Sequence, residues 1–203
     1  MEHPVPPVIQ TLWYDELQTI RREMLREAAG LTQAQADWRP APEEWSVGQN
    51  LEHIRIDELD MNKATTKLLK IAMGVEKFDQ AIFEMSAREG KLGVFPTHFT
   101  KLDDFGELPP PPPPGFKTES AEPEHGLPIA QLIVDLNVLR EKSTKVSIER
   151  ISLCDPRGLT RVHLAHKGRE INIVQWWRIQ ARHDTAHVRQ IRKLKSLSGF
   201  PVR

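Results

Sequence analysis

The chain has 203 residues, enough for one domain with a real core. Its 28 basic and 28 acidic residues cancel to a formal net charge of zero, which argues against nucleic acid as the main partner. Cys154 is the sole cysteine, so no intrachain disulfide forms and a reducing, cytoplasmic setting is expected.

Met1 to Pro7 has no basic start followed by an apolar run, so no signal peptide is expected. No apolar stretch approaches the roughly 18 residues needed to span a bilayer, so no membrane partner is expected either. The first helix follows Pro6-Pro7 and runs to about Gly30. Ile9, Leu12, Trp13, Leu17, Ile20, Met24, Leu25 and Ala28 form its apolar stripe. Gly30 is a suitable stop because glycine accepts the left-handed conformation that ends many helices. A short turn is expected at Thr32 to Trp38, before Arg39-Pro40.

The second helix begins at Ser46, where Ser46 and Gln49 form a capping-box pattern. Val47, Leu51, Ile54, Met61, Leu68 and Leu69 supply its apolar face, which fades near Gly74. From residue 75 to 127 the pattern is irregular, with a short helix expected over Phe78 to Glu89. Pro109 to Pro114 is an unbroken run of six prolines, hence polyproline II, and reads as a stiff surface loop rather than an SH3-type ligand. The third helix opens at Pro128 and carries Ile129, Leu132, Ile133, Leu136, Leu139 and Val146 to about Arg150. Residues 152 to 170 form a connector, with a brief extended segment around Leu159 to Leu164. The last helix opens at Asn172, with Gln175 placed for a second capping box, and ends by Gly199. The expected fold class is therefore all-α, a four-helix bundle with a long proline-rich connection, as one domain over 1–203. The basic cluster of Arg189, Arg192, Lys193 and Lys195 near the last helix end complements the helix dipole.

Chemistry concentrates on the last helix. Ile173, Trp176, Gln180, His183, His187, Gln190 and Leu194 step by threes and fours along one seam, yet its centre is polar. Unpartnered, such groups cost roughly 1–3 kcal/mol each to bury. His183 and His187 are one turn apart, so both imidazoles project from one face, a common way to supply two metal ligands. A third ligand must come from elsewhere, and His3, His53, His98, His125, His163 and His166 are the candidates. His53 is the one inside an amphipathic helix, beside Leu51 and Ile54. His163 and His166 form a rival pair, although Arg161 and Lys167 beside them suggest a solvated loop.

Two segments, Glu44 to His53 (EWSVGQNLEH) and Ala181 to Ile191 (ARHDTAHVRQI), resemble the DinB-like, or DinB/YfiT-like, family of metalloenzymes. The order of elements, with Arg39-Pro40 before the second helix and Gly158-Leu159-Thr160 before the last, extends the resemblance over most of the chain. The family implies a four-helix bundle in which three histidines hold nickel, zinc or another divalent ion such as iron or manganese. The matching positions are His53, His183 and His187. The proline run departs from the compact connection usual in the family.

Three neutral imidazoles leave an ion its charge and an open position, the pattern of catalytic sites. A water or thiol there would lose its proton near neutral pH. The expectation is metal-assisted chemistry on a small molecule, either hydrolysis or transfer of a low-molecular-weight thiol, the latter suggested by the resemblance. The alternative is a non-catalytic metal-binding or interaction module, with a homodimer through helix faces as a further expectation. Asp57, one turn beyond His53, stands as a base or outer acceptor, and Gln190 as a group orienting an imidazole or water. Asp184 points about a quarter-turn from His183 and reads as helix surface or packing. Trp45 and Trp176 read as core residues, or as walls of the pocket.

Overall fold

The computed structural model describes residues 7–72, 87–89, 122–154, 162–166 and 169–202, with side chains over 14–70, 122–154 and 172–202. Helix α1 spans Pro7–Ala28, α2 Gln33–Asp37 and α3 Val47–Ala72. Helix α4 spans Ile129–Leu139 and passes through a π-helical turn, Arg140–Thr144, into α5, Lys145–Ser152. The last helix, α6, spans Ile173–Ser196. The fold is all-α in its main elements: α1, α3, the α4–α5 run and α6 pack as a bundle. No helix among the described residues is long and apolar enough to cross a membrane.

The sequence signals act where expected. Gly30 stands at φ 71° just beyond α1, the left-handed conformation that a side chain would strain. Thr32 caps α2 in a complete capping box with Gln35. Ser46 Oγ accepts from the Gln49 amide at 3.1 Å while Gln49 Oε1 accepts from the Ser46 amide at 3.1 Å. Asn172 Oδ1 accepts from the Gln175 amide at 2.9 Å, and Gln175 Oε1 from the Asn172 amide at 2.9 Å. Helix α6 stops at Ser196, three residues before Gly199. A Cβ on Gly199 would lie 3.2 Å from the Trp38 ring, which explains the small residue there.

Two expectations are corrected. Residues 87–89, expected in a helix, form strand β1 (Ala87–Glu89); the rest of 78–89 and the proline run 109–114 lie outside the described residues. Strands β2 (Val162–His166) and β3 (Arg169–Asn172) complete an antiparallel sheet of order β1-β2-β3. Pairing of Ala87 with Leu164 and of Glu89 with Val162 overrides the local helical pattern. His163 and His166 thus lie in a strand, not a loop. The second correction concerns the third helix, which is interrupted at Arg140–Thr144.

The described chain divides into two compact units. The first comprises Met1–Asp15, Met61–Pro111 and Lys145–Gln180. Its buried residues include Met61, Leu68, Ile148, Ile151 and Trp177, whose indole N–H donates to Thr65 Oγ1 at 3.0 Å. The second comprises Glu16–Asp60, Pro112–Thr144 and Ala181–Arg203 and contains the candidate site. Met24 and Ala28, Ala36, Val47, Leu51 and Ile54, Ile129, Leu132 and Leu136, and Val188, Ile191 and Leu194 join five helices in one core. Arg192 and Lys195 reach Glu27 of α1, each at 2.8 Å, so the basic end of α6 pairs with α1 carboxylates as well as complementing its own dipole.

A layer of charge crosses this unit. Each of its four main helices sets one charged residue on its buried stripe: Arg21 between Leu17 and Met24, Glu58 between Ile54 and Met61, Arg140 beyond Leu136, and Asp184 between Ala181 and Val188. Glu58 accepts from Arg21, from Arg140 Nε at 2.8 Å and Nη2 at 3.1 Å, and from the Thr144 hydroxyl. Asp184 accepts from Arg140 Nη2 at 3.3 Å and lies 3.8 Å from Arg21. Two positive and two negative charges balance, which is what lets them be buried together. The π turn has a part in this. An i→i+5 turn holds more residues than an α turn, so Arg140 and Thr144 stay on the face of Leu136 and both reach Glu58. Asp184, expected on the helix surface or in packing, is therefore buried and packed, as a member of this layer.

Candidate metal centre

Helices α3 and α6 bring the site together. The Ser46 cap fixes the start of α3, and Asn50, in its first turn, donates from Nδ2 to the Ser46 carbonyl at 2.8 Å. That bond orients the amide, so Asn50 Oδ1 faces His187 Nδ1 at 2.8 Å. A carbonyl oxygen can only accept, so His187 carries its proton on Nδ1 and presents the lone pair of Nε2. His53 follows one turn later on α3. On α6, His183 and His187 project together from one side.

The three Nε2 atoms converge. His183 Nε2 lies 3.2 Å from His53 Nε2 and 3.1 Å from His187 Nε2. All three ligand atoms fall within 4.8 Å of one another. His53 is 2% and His187 5% exposed, while the His183 side chain is 27% exposed, so the cluster opens on the His183 side. Burial first, and then the neighbouring His183, push His53 down from 6.5 to about 4. The same burial, with His183 and His53 beside it, pushes His187 down to about 2, against a nearby Gln190 that raises it. Both imidazoles are therefore neutral at physiological pH, the form that ligates metal.

This donor set fits a divalent ion. With metal–nitrogen bonds of ~2.0–2.1 Å, neighbouring nitrogens stand about 2.9 Å apart at right angles and about 3.4 Å apart at tetrahedral angles. The two separations at His183 fall between those limits. At these distances neutral imidazoles can share an N–H···N hydrogen bond, and with their protons on Nδ1 all three can turn lone pairs to one ion, as His187 already does. The cluster can hold a metal ion, and His53, His183 and His187 are the group with that capacity among the described residues.

The other candidates are placed as follows. Asp57 Oδ2 lies 3.3 Å from His53 Nε2 and 3.6 Å from His183 Nε2, on the ligating edge of both rings. Gln190 is exposed and lies near enough to His187 to favour its charged form, while the His187 ring nitrogens meet Asn50 and His183. Trp45 is a wall: its ring is stacked on His187 at 6.2 Å and tilted over His53 at 4.7 Å. His125 is remote in function, its Nε2 sharing a hydrogen bond with the Asp37 carbonyl at 3.0 Å. His3 and His98 lie outside the described residues. The polar seam is confirmed in part, since Gln180 and His187 are buried and Gln190 is not. The most deeply buried line on α6 runs beside it, through Val174, Trp177, Ala181, Asp184, Val188 and Ile191.

Sequence reasoning missed Asn50, Arg21, Glu58 and Arg140. Each charged member interrupts an apolar stripe at helical spacing, and that interruption was the available signal. Asn50 stands in the first turn of α3 beside the Ser46–Gln49 cap, and no local pattern links it to His187 on α6.

A family model described as the DinB superfamily matches residues 16–191, most of the chain. The chain belongs to the DinB superfamily. Its helical bundle agrees with that membership. The uncharacterized protein YuaE of Bacillus subtilis (strain 168) is similar to this DinB chain. The two are 21% identical over 175 residues, covering 86% of this chain and 92% of YuaE. No solved structure matches.

Proposed function

We propose that this DinB protein holds one divalent ion, zinc or nickel first and iron or manganese as alternatives, through His53, His183 and His187, and acts on a small molecule. The reaction classes are hydrolysis and transfer of a low-molecular-weight thiol. The observation that carries the reading is the convergence of three Nε2 atoms, with Asn50 fixing the tautomer of His187.

A divalent ion in such a site supplies Lewis acidity, drawing the pKa of a water or thiol at its open position toward neutrality. The chain supplies the rest. Asn50 holds the proton of His187 on Nδ1 and keeps the ring oriented. Trp45 covers His53 and His187 on the closed side and excludes water there. Substrate approaches on the other side, past His183 and Asp57, whose side chains are 27% and 22% exposed. A cytoplasmic setting suits the lone Cys154, and a homodimer is tested by gel filtration.

Metal analysis of untagged protein tests the first half of the proposal: about one equivalent is expected, and less than about a tenth, with no uptake on titration, removes it. Paired screens test the second half, thiol cofactors with electrophiles against simple esters and amides. Turnover in one screen assigns the class. No turnover in either, with metal bound, favours a binding module without catalysis.

A further inference from the structure

We propose that Asp57 is a fourth ligand, so that the chain holds its ion with three imidazoles and one carboxylate. The inference rests on the three-histidine reading and adds an anionic group to the coordination sphere.

The atoms are placed for it. Asp57 Oδ2 lies 3.3 Å from His53 Nε2 and 3.6 Å from His183 Nε2, and those two nitrogens are 3.2 Å apart. The three form a near-equilateral triangle, with His187 Nε2 another 3.1 Å from His183 Nε2. Toward His53 and His183 these are the spacings of neighbouring ligands on one ion, about 2.9–3.4 Å at bond lengths near 2.1 Å, with the longest side slightly beyond. Asp57 stands outside the three-histidine group whose donor atoms all lie within 4.8 Å of one another, so its side chain turns toward His187 to join the ion.

The backbone accounts for the arrangement. Helix α3 offers His53 and Asp57 one turn apart, and α6 offers His183 and His187 one turn apart, so each helix contributes one i,i+4 pair from one face. A carboxylate that only orients a ligand histidine sits at the nitrogen turned away from the ion. Here that role belongs to Asn50, at Nδ1 of His187. Asp57 meets the opposite edge, Nε2, on two different rings. A carboxylate merely paired with one histidine has no need to approach the ligating atoms of two.

The chemical consequence is a mixed nitrogen–oxygen site of reduced positive charge, in which an open position for water or thiol requires a five- or six-coordinate ion. Such a donor set suits Zn, Ni, Fe or Mn in the divalent state and disfavours soft Cu(I). It also leaves one anionic arm at the exposed rim, where substrate enters.

The test uses untagged, metal-free, full-length protein and Co(II) as the probe. Wild type, Asp57→Asn and Asp57→Glu are compared by titration, by visible d–d absorption and by X-ray absorption at the cobalt edge. Asp57→Asn is expected to weaken Co(II) binding at least about tenfold, to change the d–d bands and to alter the nearest-neighbour oxygen shell. Asp57→Glu, which keeps the carboxylate, should recover much of the affinity and the wild-type spectrum. Circular dichroism of each variant confirms the helical fold, and Asp57→Glu serves as the second arm if the amide variant misfolds. Affinity within twofold of wild type, with unchanged spectra, overturns the fourth ligand and leaves the three-histidine site standing. Failure of the wild type to bind Co(II) overturns both.

Discussion

Replacing Glu58 by Gln tests the charged layer beneath the site. The substitution keeps the shape of the side chain and removes one negative charge from a position with no solvent exposure. In the native protein that carboxylate serves Arg21, Arg140 at 2.8 and 3.1 Å, and the Thr144 hydroxyl. After the change two buried guanidiniums share Asp184 alone, which lies 3.3 Å from Arg140 and 3.8 Å from Arg21. Leaving a buried charge uncompensated costs about 3–5 kcal/mol. In a chain of this size each kcal/mol moves the midpoint by roughly 2–4 °C, so Tm should fall by about 6–20 °C. Thermal unfolding of metal-free protein followed by circular dichroism measures it, with urea denaturation as a check. Adding Arg140→Met to Glu58→Gln removes the surplus charge and should recover part of the loss. A drop in Tm of less than about 2 °C for Glu58→Gln would refute the view that this layer is tightly coupled.

Acidification separates two contributions. Burial opposes ionisation of Glu58, but Arg21, Arg140 and the hydrogen bonds outweigh it and hold the carboxyl below 4.5. Its stabilisation is therefore complete above pH 4.5 and lost as pH falls through the depressed value. His53 and His187 act earlier. Their folded values, about 4 and about 2, lie below 6.5, so from pH 6.5 downward the unfolded chain binds protons that the folded chain refuses. Stability of the metal-free protein should decline from pH 6.5 toward 4, and His53→Phe should flatten that limb; an unchanged slope would contradict the assignment. Asn50→Ala removes the acceptor for His187 Nδ1 and should weaken Zn(II) binding about 10–100-fold, read by competition with a chelating dye. Ser46→Ala removes the α3 cap and should cost about 1 kcal/mol in urea unfolding, with metal affinity much less affected than by Asn50→Ala.

The helices and the His183–His187 pair were legible because local rules govern them. Ser46–Gln49, Thr32 and Asn172–Gln175 are contacts between near neighbours in sequence, and Gly30 answers a single backbone angle. His183 and His187 were legible as a pair for the same reason, one turn of one helix. His53 required the family resemblance, because no spacing rule links positions on different helices. The strand at residues 87–89 was illegible, since its partner lies at 162–166 and pairing across that distance decides its conformation. The charged layer was missed for a related reason. A charge on an apolar stripe looks like an error in one helix and becomes sensible only when four such interruptions meet, a relation that exists in space alone. The π turn at Arg140–Thr144 brings Thr144 onto the same face as Arg140, a register that a uniform α-helical pattern does not foretell.

The most direct measurement is an anomalous-scattering map from crystals of untagged protein loaded with Zn(II), recorded on both sides of the zinc edge. The account predicts one strong peak enclosed by Nε2 of His53, His183 and His187, on the side of the cluster where Asp57 Oδ2 lies. A peak held by other residues, or no peak in crystals shown to contain the ion in solution at saturating concentration, would contradict it.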